Sequence, residues 1–191
     1  MSRSVSCVTV FCGSALGVRT EYEDAARALG RLLASQGIRL VYGGGDVGLM
    51  GVLADSALDA GGHVTGVIPR HLADKELAHP RVADMRIVGT MHERKQLMSD
   101  LADGFIALAG GPGTLEEISE QWTWSQLGYH AKPCVIINTA HLYDHFIDYV
   151  EHIVSEGFVR SEQAEILTFV DTPEQALAQI ETYHAPAAKW A

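Results

Sequence analysis

The sequence is short of cysteine, of positive charge and of long apolar runs, and each shortage closes off a class of protein. Its cysteines are Cys7, Cys12 and Cys134, an odd and scattered set that cannot build a disulfide framework. They read as buried free thiols of a reducing compartment, the cytoplasm. Lys and Arg number 14 against 24 Asp and Glu, a formal net charge of −10. An acidic chain without a basic run offers no cationic face, so neither nucleic acid nor an anionic membrane is expected as a partner. No stretch is long enough to span a bilayer, and residues 5–11 are too short and too β-branched for a signal peptide. There is no Gly-x-Ser-x-Gly elbow to make Ser14 a nucleophile and no Walker Gly-Lys-Ser/Thr run. His141, His145 and His152 have loose metal-ligand spacing, but no cysteine or carboxylate cluster completes a site, so no metal is expected there.

What is present is an ordinary globular composition, 47% hydrophobic and 20% charged over 191 residues, enough for one domain with a real core. Strand and helix periods alternate from end to end. Strands are expected at 5–11, 39–42, 63–68, 85–88, 105–108, 134–137 and 166–170. Helices are expected at 21–36, 48–60, 91–102, 114–127, 143–156 and 173–183. Short β-branched runs between helices indicate βαβ units and therefore an α/β fold, a doubly wound parallel sheet of Rossmann-like type. Residues 1–184 form this single domain, and 185–191 are expected to fray. The one long connection, 69–82, carries Arg70, Lys75, Glu76 and His79, and loops of that length often serve a site.

In such a sheet, ligands sit beyond the carboxyl ends of the strands, and three glycine-bearing turns fall there. They are Cys12-Gly13-Ser14, Gly43-Gly44-Gly45 and Gly110-Gly111-Pro112-Gly113-Thr114. Gly43-x-Gly45-x-x-Gly48 fits the dinucleotide fingerprint, but after the second strand and without a ribose-binding acid. Arg70 could suit a 2′-phosphate, which keeps an NADP-binding oxidoreductase as an alternative. The Gly110 turn has two readings. Backbone N–H groups at a helix start cradle a phosphate; equally, Thr114-x-x-Glu117 is a capping box. Thr90-x-x-Glu93 is a second such box. Behind it stand Arg94 and Lys95, cations at the end of a helix whose dipole opposes them, which an anionic ligand would explain. Trp122, Trp124 and Leu127 cannot share one helix face, so their helix is expected to be buried on two sides, in the core and against a second subunit.

Met91-His92-Glu93-Arg94-Lys95, together with Gly110-Gly111-Pro112-Gly113-Thr114-Leu115-Glu116-Glu117, resembles the paired signature of the LONELY GUY (LOG) family. Its members are cytokinin riboside 5′-monophosphate phosphoribohydrolases, often mislabelled as lysine decarboxylases. Val10-Phe11-Cys12-Gly13-Ser14, Val41-Tyr42-Gly43-Gly44-Gly45, Gly66-Val67-Ile68-Pro69, Asp74-Lys75-Glu76 and Thr123-Trp124-Ser125-Gln126-Leu127-Gly128 resemble further family segments, so the likeness runs nearly end to end. It implies a homodimeric enzyme, without metal or redox cofactor, that hydrolyses the N-glycosidic bond of a nucleoside 5′-monophosphate. Arg94 and Glu117 match the family's catalytic pair. Substrate contacts are implied at Glu76, Lys95, Gly111, Gly113, Thr114, Glu116 and Thr123; Ser14, Gly44, Gly45 and Gly110, on the three glycine turns, join them as expected contacts. Two positions depart from the family pattern: Ala109 replaces a proline, and Pro112 removes one N–H donor from the loop. A non-catalytic nucleotide-binding protein is the other alternative. A pyridoxal-phosphate decarboxylase would need a Schiff-base lysine, and nothing around Lys75, Lys95, Lys132 or Lys189 marks one.

Overall fold

The computed structural model describes residues 4–75 and 77–189. Seven strands, β1 (Cys7–Phe11), β2 (Arg39–Tyr42), β3 (Val64–Pro69), β4 (Asp84–Val88), β5 (Gly104–Ala107), β6 (Cys134–Ile137) and β7 (Leu167–Val170), form one sheet in the order β4-β3-β2-β1-β5-β6-β7. Every neighbouring pair is parallel. The long helices are α1 (Thr20–Ser35), α2 (Gly48–Asp59), α4 (Met91–Leu101), α5 (Pro112–Gln126), α6 (Asp144–Ser155) and α8 (Pro173–Thr182). Two single turns, α3 (Arg70–Ala73) and α7 (Ser161–Ala164), and a 3-10 turn at Thr139–His141 were not legible in the sequence, being too short to show a period.

Strands β1, β3, β5 and β6 are buried along their whole length, as parallel strands between helical layers are expected to be. Val8 and Val10 of β1 with Ile106 of β5 face one apolar cluster, which takes Leu29 and Leu33 of α1, Leu53 of α2 and Ile180 of α8. The alternate residues Cys7, Phe11, Phe105 and Ala107 face a second cluster with Met98 of α4, Ile118 and Trp122 of α5, and Val150 of α6. The strand period of two thus divides one sheet between two cores. The sheet order reverses direction at β1, with β2 on one side and β5 on the other, and this switch point is where a doubly wound sheet opens a crevice.

The Gly43-x-Gly45-x-x-Gly48 turn does not present itself to a dinucleotide. Residues 77–79 fold back across it: Gly45 bridges Ala78, the Asp46 N–H donates to the Leu77 carbonyl at 3.0 Å, and His79 N–H donates to Gly44 at 2.9 Å. Gly48 sits at φ +57°, and a Cβ there would lie 2.3 Å from the Ser14 carbonyl carbon. The glycines serve close packing of loop on loop, which corrects the dinucleotide alternative; Arg70 lies on α3, exposed. Residues 77–79 of the long connection are therefore a cover over the second glycine turn. Of the segment expected to fray, Ala187 accepts from the Gln163 amide at 2.8 Å, and the Lys189 N–H donates to Gln126 at 2.8 Å.

Gly48→Ala meets both positive φ and a backbone collision. It should lower stability by about 1–3 kcal/mol, read as a lower urea midpoint at unchanged slope.

Candidate active site

Helix α5 begins three residues earlier than a Thr114 cap requires. Pro112, with φ preset near the helical value and no N–H to leave unpaired, occupies the first helical position, and Gly111 is the N-cap. The capping box expected from Thr114 and Glu117 is therefore absent. Thr114 falls inside the first turn, buried, and Glu117 falls in the second turn and is free for another partner. With this start, Glu116 and Glu117 both lie past the first turn, away from the N–H groups at the helix end. In contrast, Thr90 does cap α4: its hydroxyl accepts the Glu93 N–H at 3.1 Å, while the Glu93 carboxylate accepts from Gly89 at 2.7 Å.

The partner of Glu117 is Arg94. Nη1 donates to Oε1 at 3.1 Å, and the two side chains are only 10 and 11% exposed. Arg94 is held from behind as well, through Nε to the Val67 carbonyl at 3.1 Å and Nη2 to the Gly43 carbonyl at 3.4 Å. The close approach to β2 needs Gly43, where a Cβ would stand 2.0 Å from Nη2. Burial pushes the Glu117 carboxyl above the usual carboxylate range, and the Arg94 charge draws it part of the way back. Cys12, at the end of β1, is a buried thiol pushed up by desolvation and then by the Glu117 charge, so it stays neutral beside the pair.

Lys95 makes a parallel arrangement one residue on. Its ammonium, with a side chain 6% exposed, pairs with Glu116 and with Glu120, the latter at 3.0 Å. Burial works against the charge, but the hydrogen bonds to Glu116 and Glu120 outweigh it and hold Lys95 above its ordinary pKa. A Schiff-base nucleophile requires the opposite shift, so Lys95 is not equipped for decarboxylase chemistry. The two cations thus find their anions in α5 rather than requiring a ligand. Glu120 was missed in the sequence, although its four-residue spacing from Glu116 puts both on one helix face.

A sequence profile of the family described as "Possible lysine decarboxylase" matches residues 50–180. The chain is 45% identical over 176 residues to the cytokinin riboside 5′-monophosphate phosphoribohydrolase LOG of Oryza sativa subsp. japonica, covering 92% of this chain and 73% of that protein. It is 47% identical over 174 residues to the cytokinin riboside 5′-monophosphate phosphoribohydrolase of Rhodococcoides fascians, covering 91% and 88%. The chain belongs to the LOG family. Its fold also matches the solved molybdenum cofactor binding protein of Rippkaea orientalis, with a TM-score of 0.71 over 95% of this chain and 98% of that one. At 20% identity that likeness concerns the fold alone.

Within this LOG fold the paired signature residues meet as Arg94–Glu117 and Lys95–Glu116. Gly110, Gly111 and Ser14 line one cavity of about 280 Å³ at the β1–β5 switch. The Gly111, Gly113 and Thr114 N–H groups have no acceptor among the described residues, and Gly111 and Gly113 are exposed. Gly44 and Gly45 are buried under residues 77–79, behind Arg94. Thr123 lies elsewhere, exposed on α5 six residues past Glu117, lining a different cavity. Glu76 falls outside the described residues. His141 and His145 pair with Asp144 and Asp148 on the surface.

Among the described residues, one group has metal-like spacing, Asp46, Asp55 and His79. Its tautomer speaks against coordination. His79 Nδ1 accepts the Arg81 N–H at 3.2 Å, so in the neutral ring Nε2 carries the proton and faces the carboxylates as a donor, not a ligand.

Arg94→Gln removes the charge that favours ionised Glu117. The Glu117 titration, followed by carboxyl carbon NMR, should move further up. Because the folded pKa then lies further above the unfolded one, stability is highest below the unfolded pKa and declines as pH rises through the folded one. At neutral pH the loss should be about 3–5 kcal/mol.

Proposed function

We propose that the protein hydrolyses the N-glycosidic bond of adenosine 5′-monophosphates, N6-substituted cytokinin nucleotides included, to release the free base and ribose 5-phosphate. One observation carries this reading: the buried Arg94–Glu117 pair lies about one helical turn past a set of unpaired N–H groups at the start of α5. Those groups suit a phosphate, and the helix dipole adds to the attraction. A nucleotide held there carries its sugar over the first turns of α5, toward Glu117. The names of relatives 45% and 47% identical to the chain support the same reaction.

Cleavage of the C1′–N bond develops positive charge on the ribose, and a fixed carboxylate beside it lowers the barrier. Glu117 fills that role and orients the water whose oxygen bonds to C1′; the departing base takes up a proton. Arg94 has its Nε and both terminal nitrogens engaged with Val67, Gly43 and Glu117, so it orients Glu117 rather than assisting the base. Glu116, held by Lys95 and about half exposed, faces the sugar hydroxyls. Pro112 leaves the phosphate the N–H groups of Gly111, Gly113 and Thr114.

We further propose a homodimer working in a reducing cytoplasm. Trp122 is in the core, its Nε1 donating to Gln163 at 2.7 Å, whereas Trp124, Leu127 and Tyr129 line a cavity of about 570 Å³ on the other side of α5. Leu127 and Tyr129 are exposed there, an apolar face fit for a second copy. Thr123 shares that face, at about 9 Å along the helix from Glu117. A substrate at Glu117 of one chain would meet Thr123 only from a partner. The three cysteines are buried free thiols.

AMP and an N6-isopentenyl adenosine monophosphate, incubated with the protein, should each yield free base by chromatography; no base from either refutes the reaction. Glu117→Gln should fold and lose at least about 100-fold in turnover. Since Glu117 must be ionised and its carboxyl is raised, the acid limb of the pH–rate profile should lie above the range of an ordinary carboxylate. Tyr129→Glu should give monomers by light scattering, with activity falling in parallel.

A further inference from the structure

The connection from β6 to α6 holds two successive residues in left-handed backbone, Ala140 at φ 53° and His141 at φ 61°. Neither is glycine, and such backbone persists only where the surroundings impose it. Asn138 supplies the restraint: its side-chain oxygen accepts the Tyr143 N–H at 2.8 Å, and its amide donates to Asp144 at 2.7 Å. The outcome is the placement of one side chain. Tyr143 is 3% exposed, and its hydroxyl donates to the Leu108 carbonyl at 2.7 Å. The Gly110 backbone faces the same phenol and opposes the rise that burial causes in its pKa.

The hydroxyl therefore fixes the peptide group just before Ala109, at the root of the glycine loop. Ala109 itself is held from β1, its carbonyl accepting the Gly13 N–H at 2.9 Å. Beyond Gly110 the ties stop: Gly111, Pro112 and Gly113 are exposed. Leu142, beside Tyr143, lines the same cavity as Ser14, Gly110 and Gly111. A phenylalanine would fill the same apolar space, so packing alone gives no use for the hydroxyl. Burial pushes the phenol up, so it stays protonated and the tie to Leu108 holds across the working pH range.

We propose that Tyr143 is a positioning residue for the phosphate of the substrate: its hydroxyl, fixing the peptide group of Leu108 two residues before Gly110, aims the open N–H donors of Gly111, Gly113 and Thr114. Tyr143 does not touch the substrate. The proposal rests on reading the glycine loop as the phosphate cradle of a nucleotide hydrolase.

Tyr143→Phe removes the hydroxyl and little else. In the full chain, the KM of AMP should rise about ten-fold with kcat within two-fold. The inhibition constant of ribose 5-phosphate should rise by the same factor, while that of adenine, which has no phosphate, should stay put. Asn138→Ala, which loosens the turn without touching the phenol, should shift KM the same way by a smaller factor. If adenine and ribose 5-phosphate weaken alike, or kcat falls at constant KM, the hydroxyl does not act through the phosphate loop and the proposal is overturned. A wild-type protein that cleaves no monophosphate yet binds ribose 5-phosphate would refute the reaction alone. The binding constants of ribose 5-phosphate and adenine in the two variants then still decide the role of Tyr143.

Discussion

The buried pairing of Arg94 with Glu117 is the constraint to which the surrounding structure answers. Two opposite charges with centres about 4 Å apart attract by about 4 kcal/mol at an effective dielectric of about 20. Removing each from water costs several kcal/mol, so the pair is no net gain for the fold. The raised Glu117 carboxyl shows the same balance, with burial outweighing the arginine. A contact that stabilises so little, yet is held by two further backbone hydrogen bonds, makes sense as a positioned carboxylate. The protein holds a buried carboxylate in place with an arginine whose other nitrogens are already engaged.

Much of the local architecture follows from making room for that arginine. Gly43 has no side chain because the guanidinium occupies the space, and the Val67 carbonyl, inside β3, is a second backbone acceptor. The long connection after β3 then folds over the Gly43 turn and closes it from the far side. On the other side of the switch point, Pro112 sets the start of α5. With the helix begun there, Glu117 is released from any capping duty and lies opposite α4. The local rule that a Thr-x-x-Glu run makes a capping box yields to a proline two residues earlier.

Charge is arranged with similar economy. The chain is strongly acidic, yet Arg94 and Lys95 are nearly enclosed, each against glutamates of α5. These pairs neutralise α4 against α5 and leave the open N–H groups at the start of α5 as the local source of positive potential. In the proposed function a phosphate would be met by backbone rather than by a flexible cation, which orients it without side-chain entropy to lose.

The alternation of β-branched runs with helical periods determined the parallel sheet, the ends of nearly every long element and the position of the glycine turns beyond the strands. Those are local properties, written in residues that must be buried on one or two faces. Arg94, Lys95, Glu116 and Glu117 stood out in the sequence as charges in unusual places, but only as separate signals. That Arg94 belongs to Glu117 and Lys95 to Glu116 and Glu120, that Thr123 lies apart from them, and that Tyr143 reaches Leu108, at the root of the glycine loop, from 35 residues away are facts of the tertiary structure. Side chains brought together across the switch point share no spacing in the chain; the crossover of α4 and α5 over the sheet sets their distances.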